Sequence, residues 1–314
     1  MYDTVDFYLL QKDYPNIDFL KQVPKHIYIV SEGAGTFGEY IIGYYSGYKV
    51  KINRYKISFS ECSLARFKFG NNLKSLTCSD TEQIFEQMQD ELHLPVHEAK
   101  LTRIDLAQHF SMNHSPELYL PLLGESRYYE RLEQPNGINY INSKRVLVFY
   151  NKTVEQQEKF KLLPVNYEIK NLLRYELRFK KRLPQQFSLP EVTCSLLYDR
   201  TFLSMLARQW KEEYSKINKV SLNAGSLIPT GSSKYFIEQL AGRTIQDIGQ
   251  NKLFYLLKEW QGTELISKKQ AFDIKKSLQK ISKSPDHNSG NELINELDRK
   301  IEEAAILFQN INDF

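Results

Sequence analysis

Apolar and polar residues alternate along several stretches of the first 190 residues, the pattern of strands that bury one face. The alternation is clearest in four segments, at 49–60, 101–110, 145–150 and 172–179. Residues 61–70 are interpreted as one more strand, because they lead into the turn-forming run Gly70-Asn71-Asn72. Together these segments predict a mainly antiparallel sheet.

Helical spacing interrupts the strands twice and then takes over. Ser79 and Glu82 fit a capping box at the start of a helix that Pro95 ends, and a second helix is predicted over 153–163. After Pro190 the predicted helices cover 196–214, 233–241, 244–260, 268–281 and 291–311. The chain is therefore predicted to be α+β, with an N-terminal, mainly antiparallel sheet and flanking helices followed by an all-helical C-terminal region.

The change in pattern also suggests domain boundaries. We predict a catalytic domain over 1–190 and a helical domain over 191–281. Residues 282–290 have the composition of a linker, and 291–314 form a C-terminal amphipathic helix. The apolar stripe of that helix is interpreted as a packing face, with a seam for a second copy or a partner as the alternative.

Charge changes the picture in one segment. The 314 residues carry a formal net charge of +4, yet residues 144–182 hold eleven lysines and arginines against four acids. A basic segment on a nearly neutral body is typical of a protein that binds a polyanion, although a solvated charged face has the same pattern.

Location and membrane contact are constrained as well. No run of about 18 apolar residues is present, so we expect no membrane span. The first residues lack a secretory signal pattern, and three widely spaced cysteines suit a reducing compartment. We expect a cytoplasmic protein.

A glycine-rich motif, G-x-G-x-x-G at Gly33–Gly38, follows a short apolar run. It resembles a phosphate-binding loop, but the β-type residues after it argue against a dinucleotide-binding helix. A kinase would also need H-R-D and D-F-G motifs, which the sequence lacks. A β-hairpin is the preferred interpretation, and a kinase-like nucleotide-binding enzyme is a distant third hypothesis.

Three strand segments carry residues with chemistry. Arg103 and Asp105 alternate on one strand, Tyr150 ends another with Lys152 two positions on, and the third is centred on Glu176 between two arginines. Each could be a surface ion pair or an edge tyrosine. Together they could form one site, with two carboxylates for a hard divalent cation, arginines for phosphate and a tyrosine nucleophile.

The order of these motifs resembles the replication initiators of filamentous phages (the gene II family) and related rolling-circle plasmid Rep proteins. R-I-D at 103–105 is followed by Y-x-K-x-x-E at 150–155 and R-x-E-x-R at 174–178, and the similarity covers roughly residues 55–190. The resemblance implies a site-specific DNA-nicking transesterase. In it, Tyr150 would form a 5′-phosphotyrosyl link and free a 3′-OH, Asp105 and Glu176 would bind Mg²⁺ or Mn²⁺, and Lys152 would steady the phenolate or the phosphate.

The wider group of nicking enzymes often uses an H-x-H metal pair, which this chain lacks. His109 is a candidate third metal ligand, and Glu61 is a weaker one. Tyr140 and Tyr167 are the tyrosines considered for a second role in strand closure. The residues predicted to contact DNA are Arg103, Lys144, Arg145, Arg174, Arg178, Lys180, Lys181 and Arg182.

The expected partner is origin DNA of a phage or plasmid. The C-terminal helices are a candidate surface for a host helicase or polymerase, or for a homodimer. The second hypothesis for function is a DNA-binding replication protein without strand scission.

Overall fold

The structure, a computed structural model, describes residues 2–36, 38–159, 171–220, 233–282 and 292–310. Within these ranges ten strands form one antiparallel sheet in the order β2-β3-β4-β5-β1-β6-β11-β10-β9-β8, and β12 pairs with β7 in a small second sheet. The strands are β1 (Tyr2–Leu10), β2 (Tyr28–Gly35), β3 (Gly38–Tyr45), β4 (Tyr48–Asn53), β5 (Lys56–Ser63), β6 (Lys100–Ser111), β7 (Leu123–Ser126), β8 (Glu130–Gln134), β9 (Gly137–Ile141), β10 (Arg145–Asn151), β11 (Leu172–Lys180) and β12 (Ile217–Lys219).

The described residues also form ten α-helices, most of which follow the ten-stranded sheet in sequence. They are α1 (Phe19–Gln22), α2 (Leu64–Phe69), α3 (Cys78–Leu92), α4 (Lys152–Lys159), α5 (Leu183–Phe187), α6 (Arg200–Ser215), α7 (Ser233–Ile248), α8 (Gln250–Gly262), α9 (Lys268–Ser282) and α10 (Glu292–Asn310). The predicted α+β class, with a large antiparallel sheet followed by helices, is confirmed.

One face of the sheet forms the core. Phe7 on β1 packs edge-on against Phe85 of α3, with ring centroids 6.1 Å apart. Tyr175 on β11 stacks between Phe149 of β10 and Trp210 of α6, at 4.4 Å and 4.6 Å. Burial of these large rings supplies the main driving force for docking the helices on the sheet.

Helix α10 packs on the outer side of α6 rather than standing apart. Its apolar stripe is buried, and Phe308 meets Trp210 with ring centroids 5.8 Å apart. The domain boundaries predicted from composition remain predictions, and residues 283–290 of the predicted linker lie outside the described residues.

Residues 61–70 correct one prediction. Strand β5 ends at Ser63, and Leu64–Phe69 forms α2, which Gly70 ends in the left-handed conformation with φ of 72°. Six residues are too few to distinguish the two-residue period of a strand from helical spacing. Leu64 and Ala65 are adjacent and both buried, which a helix allows more readily than a strand with one buried face.

Two helix boundaries also differ from the sequence analysis. The capping box of α3 is formed by Thr77 and Asp80, not by Ser79 and Glu82. The Asp80 carboxylate accepts a hydrogen bond from the Thr77 backbone N–H at 3.0 Å. Helices α7 and α8 divide at Gly249, whose φ of 85° suits a residue without a Cβ.

Candidate active site

The three motif strands lie side by side at the centre of the sheet. In the register of β6 with β11, Asp105 faces Arg178 and His109 faces Arg174. In the register of β10 with β11, Tyr150 faces Arg174. Directly opposed residues share a face of an antiparallel sheet, so these side chains all lie on the face opposite the aromatic core.

A cleft of about 270 Å³ opens on this polar face. Its lining combines residues of the three motifs with residues of β1, β5, α2, α4 and the segment after α2. The lining residues are Asp3, Thr4, Glu61, Ser63, Arg66, Asn72, Arg103, Asp105, Tyr150, Glu155, Glu176 and Arg178.

Glu176 is the centre of a buried ion network. It is 3% exposed, and its Oε1 accepts from Arg174 Nε at 2.5 Å while its Oε2 accepts from Arg178 Nη2 at 2.7 Å. Burial alone would raise the pKa of Glu176, but the two guanidiniums outweigh it and lower the pKa to about 2. Glu176 is therefore a fixed negative charge.

Asp105 sits beside this network on β6. Arg103 donates to both of its carboxylate oxygens, from Nε at 2.9 Å and from Nη2 at 2.5 Å, and Arg178 Nε lies 3.8 Å from Oδ2. Burial nevertheless raises the pKa of Asp105 to about 6 against the opposing effect of Arg103. Arg178 thus contacts both candidate metal ligands.

Tyr150 reaches the same network from β10. Its hydroxyl donates to Glu176 Oε1 at 3.0 Å. Burial, and then the negative charge of Glu176, raise the pKa of the Tyr150 phenol well above its ordinary value. The phenol is therefore held as a hydrogen-bond donor on a fixed carboxylate.

A glycine on the neighbouring strand β9 leaves room for Tyr150. Gly137 on β9 is the register partner of Tyr150. A Cβ at this position would lie 2.4 Å from the Phe149 carbonyl oxygen and 2.8 Å from Tyr150 Cβ. The close approach of β9 and β10 at the tyrosine therefore depends on the absence of a side chain at residue 137.

Lys152, which was predicted to steady the Tyr150 phenolate or the phosphate, forms an ion pair with Glu155. It is 1% exposed and its Nζ lies 2.5 Å from Glu155 Oε2, but 5.8 Å from the centroid of the Tyr150 ring. Burial, and then Arg174, lower the pKa of Lys152. The Y-x-K-x-x-E spacing therefore places an ion pair on the first turn of α4, next to the tyrosine.

His109 is brought close to Arg174 rather than to Asp105. Its Nε2 lies 2.5 Å from Arg174 Nη1, and burial followed by the charge of Arg174 lowers the pKa of His109 to about 2. In the described ranges no three side chains of His, Cys, Asp or Glu converge as a metal cage. The role of His109 as a third ligand stays a prediction.

The candidate ligands for a hard divalent cation are two carboxylates that guanidiniums now bind. Asp105 and Glu176 both line the cleft and offer only oxygen ligands, the type that Mg²⁺ and Mn²⁺ prefer. Five carboxylates line the wall against three guanidiniums, while Arg174 and Lys152 do not line it. Arg174 and Lys152 lie behind the wall as ion-pair partners of Asp3 and Glu155, so the carboxylates and the basic groups of the site are equal in number.

The predicted DNA-contacting residues lie in several different parts of the sheet. Arg103 and Arg178 line the cleft, whereas Arg174 is 1% exposed and binds Asp3 and Glu176 at 2.8 Å and 2.5 Å. Arg145 lies on the opposite face, where it binds Glu213 and stacks on Phe179 at 5.0 Å.

Three further basic residues lie away from the cleft. They follow the other end of β10 and β11, roughly 20 Å along the strand from Tyr150 at about 3.4 Å per residue. These are Lys144, Lys181 and Arg182. Lys180 borders the cleft, because it is the register partner of Arg103.

Several lining residues were not expected from the sequence. Asp3 is an ion-pair partner of Arg174, and Arg66 and Asn72 come from α2 and the segment after it. Glu61, a weak candidate, does line the cleft because β5 bulges there, with a φ of 60° at Glu61. The spacing of Asp3 and Asp6 could not have signalled this, because residues three apart in a regular strand point to opposite faces. The register of β1 with β6 shifts between Tyr2 and Val5, and Asp3 reaches the cleft there.

Of the two tyrosines considered for strand closure, Tyr140 is the one that lies within the described residues, and it does not line the cleft. Tyr140 is fully buried on the aromatic face, where its hydroxyl donates to the Gly124 carbonyl at 2.7 Å. Tyr167 lies outside the described residues.

A family model for the N-terminal part of a phage replication-associated protein, the gene II protein, matches residues 1–213. The chain belongs to this phage replication protein family. The match confirms the resemblance to the filamentous-phage gene II proteins and extends it over the whole sheet and most of α6. A search of curated proteins gave no match.

Family membership defines the chain as a phage replication-associated protein. DNA is the expected partner of such a protein. None of the helices in the described ranges combines the length and apolar composition needed to cross a bilayer.

Proposed function

We propose that this protein starts rolling-circle replication by nicking one DNA strand at an origin, with Tyr150 as the nucleophile. The observation that carries the proposal is the hydrogen bond of 3.0 Å from the Tyr150 hydroxyl to Glu176, in a cleft that Asp105, Arg103 and Arg178 also line. A tyrosine, two carboxylates and guanidiniums on one open face are the groups that phosphodiester transesterification needs. Family membership supports the same function.

In the proposed reaction, Tyr150 Oη attacks the phosphorus and forms a 5′-phosphotyrosyl bond. The bond from phosphorus to the 3′ oxygen breaks, and its electron pair leaves with that oxygen, which takes up a proton to become the 3′-OH. The phenol proton leaves to solvent water, which also supplies the proton to the 3′ oxygen, while Glu176 stays ionised and orients the hydroxyl beforehand. Arg103 and Arg178 bind the non-bridging phosphate oxygens.

Asp105 and Glu176 are the residues that would hold Mg²⁺ or Mn²⁺. Such an ion, when bound, supplies Lewis-acid polarisation of the phosphate and favours the charged phenolate.

The test is nicking of supercoiled DNA that carries the protein's own replicon, with Mg²⁺ or Mn²⁺ and with EDTA. Tyr150→Phe should abolish open-circle formation, by at least about 1,000-fold, while DNA binding changes less than about 3-fold. Tyr128→Phe is the matched control, because this tyrosine is 58% exposed and does not line the cleft. Nicking by Tyr150→Phe at the wild-type rate would overturn the proposal.

A non-catalytic origin-binding protein is the second candidate. The observation that favours it is that Asp105 and Glu176 already accept hydrogen bonds from guanidiniums, as in a structural ion network. This function predicts origin binding that EDTA does not affect and no open circle with either metal.

A further inference from the structure

The polar face that carries the cleft continues over the other half of the sheet, across β1 to β5. Register pairs align its outward residues in rows that run across the strands. One row is Tyr28, Tyr44, Lys49 and Ser60, the next is Ser31, Ile42, Lys51, Ser58 and Tyr8, and the third is Gly33, Tyr40, Asn53, Lys56 and Leu10.

The composition of these rows differs from that of the cleft. They hold four tyrosines and three lysines, and none of the outward positions in these register rows is a carboxylate. Tyr28 is 76% exposed and Tyr44, its direct register partner, is 40% exposed. Lys49 and Lys51 on the next strand are exposed as well.

The glycine-rich motif finds its explanation here. The Tyr40 ring lies across Gly33, where a Cβ would be 2.8 Å from the tyrosine hydroxyl. Lys51 Nζ stands 5.9 Å from the centroid of the same ring. The motif therefore lets an aromatic ring lie flat on the hairpin, on the face that the lysines share, and forms no helix N-terminus for a nucleotide.

The tyrosine rows lead to the cleft. Beyond Ser60 the bulge in β5 presents Glu61, whose backbone N–H donates to Asp6 at 2.8 Å, and Asp6 is the register partner of Arg103. Six strand spacings separate Tyr44 from Tyr150, roughly 29 Å at about 4.8 Å each. A short segment of single-stranded DNA, of roughly 4–16 nucleotides, has the reach for this path.

We propose that the outward face of β2–β5 binds single-stranded DNA next to the cleft, with bases stacked on Tyr28 and Tyr44 and phosphates on Lys49 and Lys51. Exposed rings on β2 and β3 offer stacking surfaces for bases, and Lys49 and Lys51 on the neighbouring β4 offer positive charges for phosphates. The absence of carboxylates from these rows suits a polyanion. A duplex would not fit equally well, because its base faces are covered. This inference deepens the proposed nicking function, since the bound strand would be the one entering the cleft.

The test measures binding of the full chain to a fluorescent (dT)20 oligonucleotide by anisotropy, in EDTA so that no nicking occurs. The double variant Tyr28→Ala/Tyr44→Ala should raise Kd by about 10–100-fold, and Tyr28→Phe/Tyr44→Phe should restore binding to within about 3-fold, because phenylalanine retains the stacking surface. Lys49→Ala/Lys51→Ala should lower the slope of log Kd against log salt by about 1.4.

Tyr255→Ala is the matched control, because Tyr255 is a 60% exposed tyrosine on α8, away from this face. Unchanged (dT)20 binding by the tyrosine double variant would overturn the inference, as would a 20-base-pair duplex that competes as well as (dT)20. If the double variant loses binding but the wild type never nicks its replicon, only the nicking proposal fails. If the wild type nicks and the double variant binds normally, only the stacking surface fails.

Discussion

The central strands β6, β11 and β10 carry two faces that are stabilised in opposite ways. On one face the rings of Phe149 and Tyr175 form a row with Trp210, which belongs to α6. Each of the three side chains is less than 2% exposed. On the other face Arg174, Glu176 and Asp105 are just as buried, but they are charged and make ion pairs. Phe149 and Tyr150 are adjacent in β10, yet Phe149 belongs to the face that stabilises the fold and Tyr150 to the face that carries the candidate site.

The comparison shows how a sheet can hold costly charges in place. Burying ions is unfavourable unless their hydrogen bonds are complete, so the charged face adds little net stability. The aromatic face supplies burial and fixes the strands, so the register that brings Asp105, Glu176 and Tyr150 together does not depend on the ion pairs alone. We infer that stability resides mainly on one face and chemistry on the other.

The largest expected effect comes from the aromatic face. Phe149→Ala should lower the free energy of unfolding by about 4 kcal/mol, since it removes a fully buried ring that stacks on Tyr175. Urea denaturation measures this change. Tyr150→Phe, one residue away, should cost less than about 1 kcal/mol. Equal losses for the two variants would contradict the division between the faces.

The charged face gives the next effect. Arg174→Met should lower the free energy of unfolding by about 3 kcal/mol or more, because the buried Glu176 and the half-buried Asp3 would both lose this guanidinium. Denaturation at pH 7 provides the measurement.

The matched control for Arg174→Met is an exposed ion pair. Arg299 and Glu303 on α10 lie 2.7 Å apart with side chains 58% and 53% exposed, so Arg299→Met should cost about 0–1 kcal/mol. If Arg174→Met lost no more free energy of unfolding than Arg299→Met, the prediction would be wrong. The buried network would then depend on its arginine no more than an exposed ion pair does.

Apart from the control variants, the glycine opposite the tyrosine gives the smallest effect on stability. Gly137→Ala should cost about 1–3 kcal/mol, because the new Cβ would meet the Phe149 carbonyl oxygen at 2.4 Å and β9 must move away from β10. Because β9 contacts Tyr150, this movement displaces the proposed nucleophile. We therefore expect the nicking rate to fall further than the loss of folded protein alone explains. Nicking at the wild-type rate by a folded Gly137→Ala protein would show that the position of Tyr150 tolerates this movement.

The sequence was sufficient to predict both faces of the central strands. Alternation in 172–179 separates Tyr175 and Leu177 from Arg174, Glu176 and Arg178, and the structure places the two sets on opposite faces as expected. The same alternation in 145–150 puts Arg145 on the aromatic face with Phe149, and its basic character alone led to its prediction as a DNA contact.

Partners from distant segments were harder to predict. Asp3 and Arg174 are 171 positions apart and meet only because β1 and β11 both flank β6. The contact of His109 with Arg174 depends on the register of β6 and β11, which no local pattern specifies. The helix at Leu64–Phe69 was missed because six residues are too few to distinguish the two periods.

The most direct test of the central claim is covalent trapping of the protein on a single-stranded oligonucleotide that spans its origin nick site and carries a label on the 3′ side. The account predicts that, with Mg²⁺ or Mn²⁺, label becomes attached to the protein and that peptide mass spectrometry finds the adduct on Tyr150. An adduct on another residue, or a cut strand without any protein attached, would contradict the claim that Tyr150 is the nucleophile.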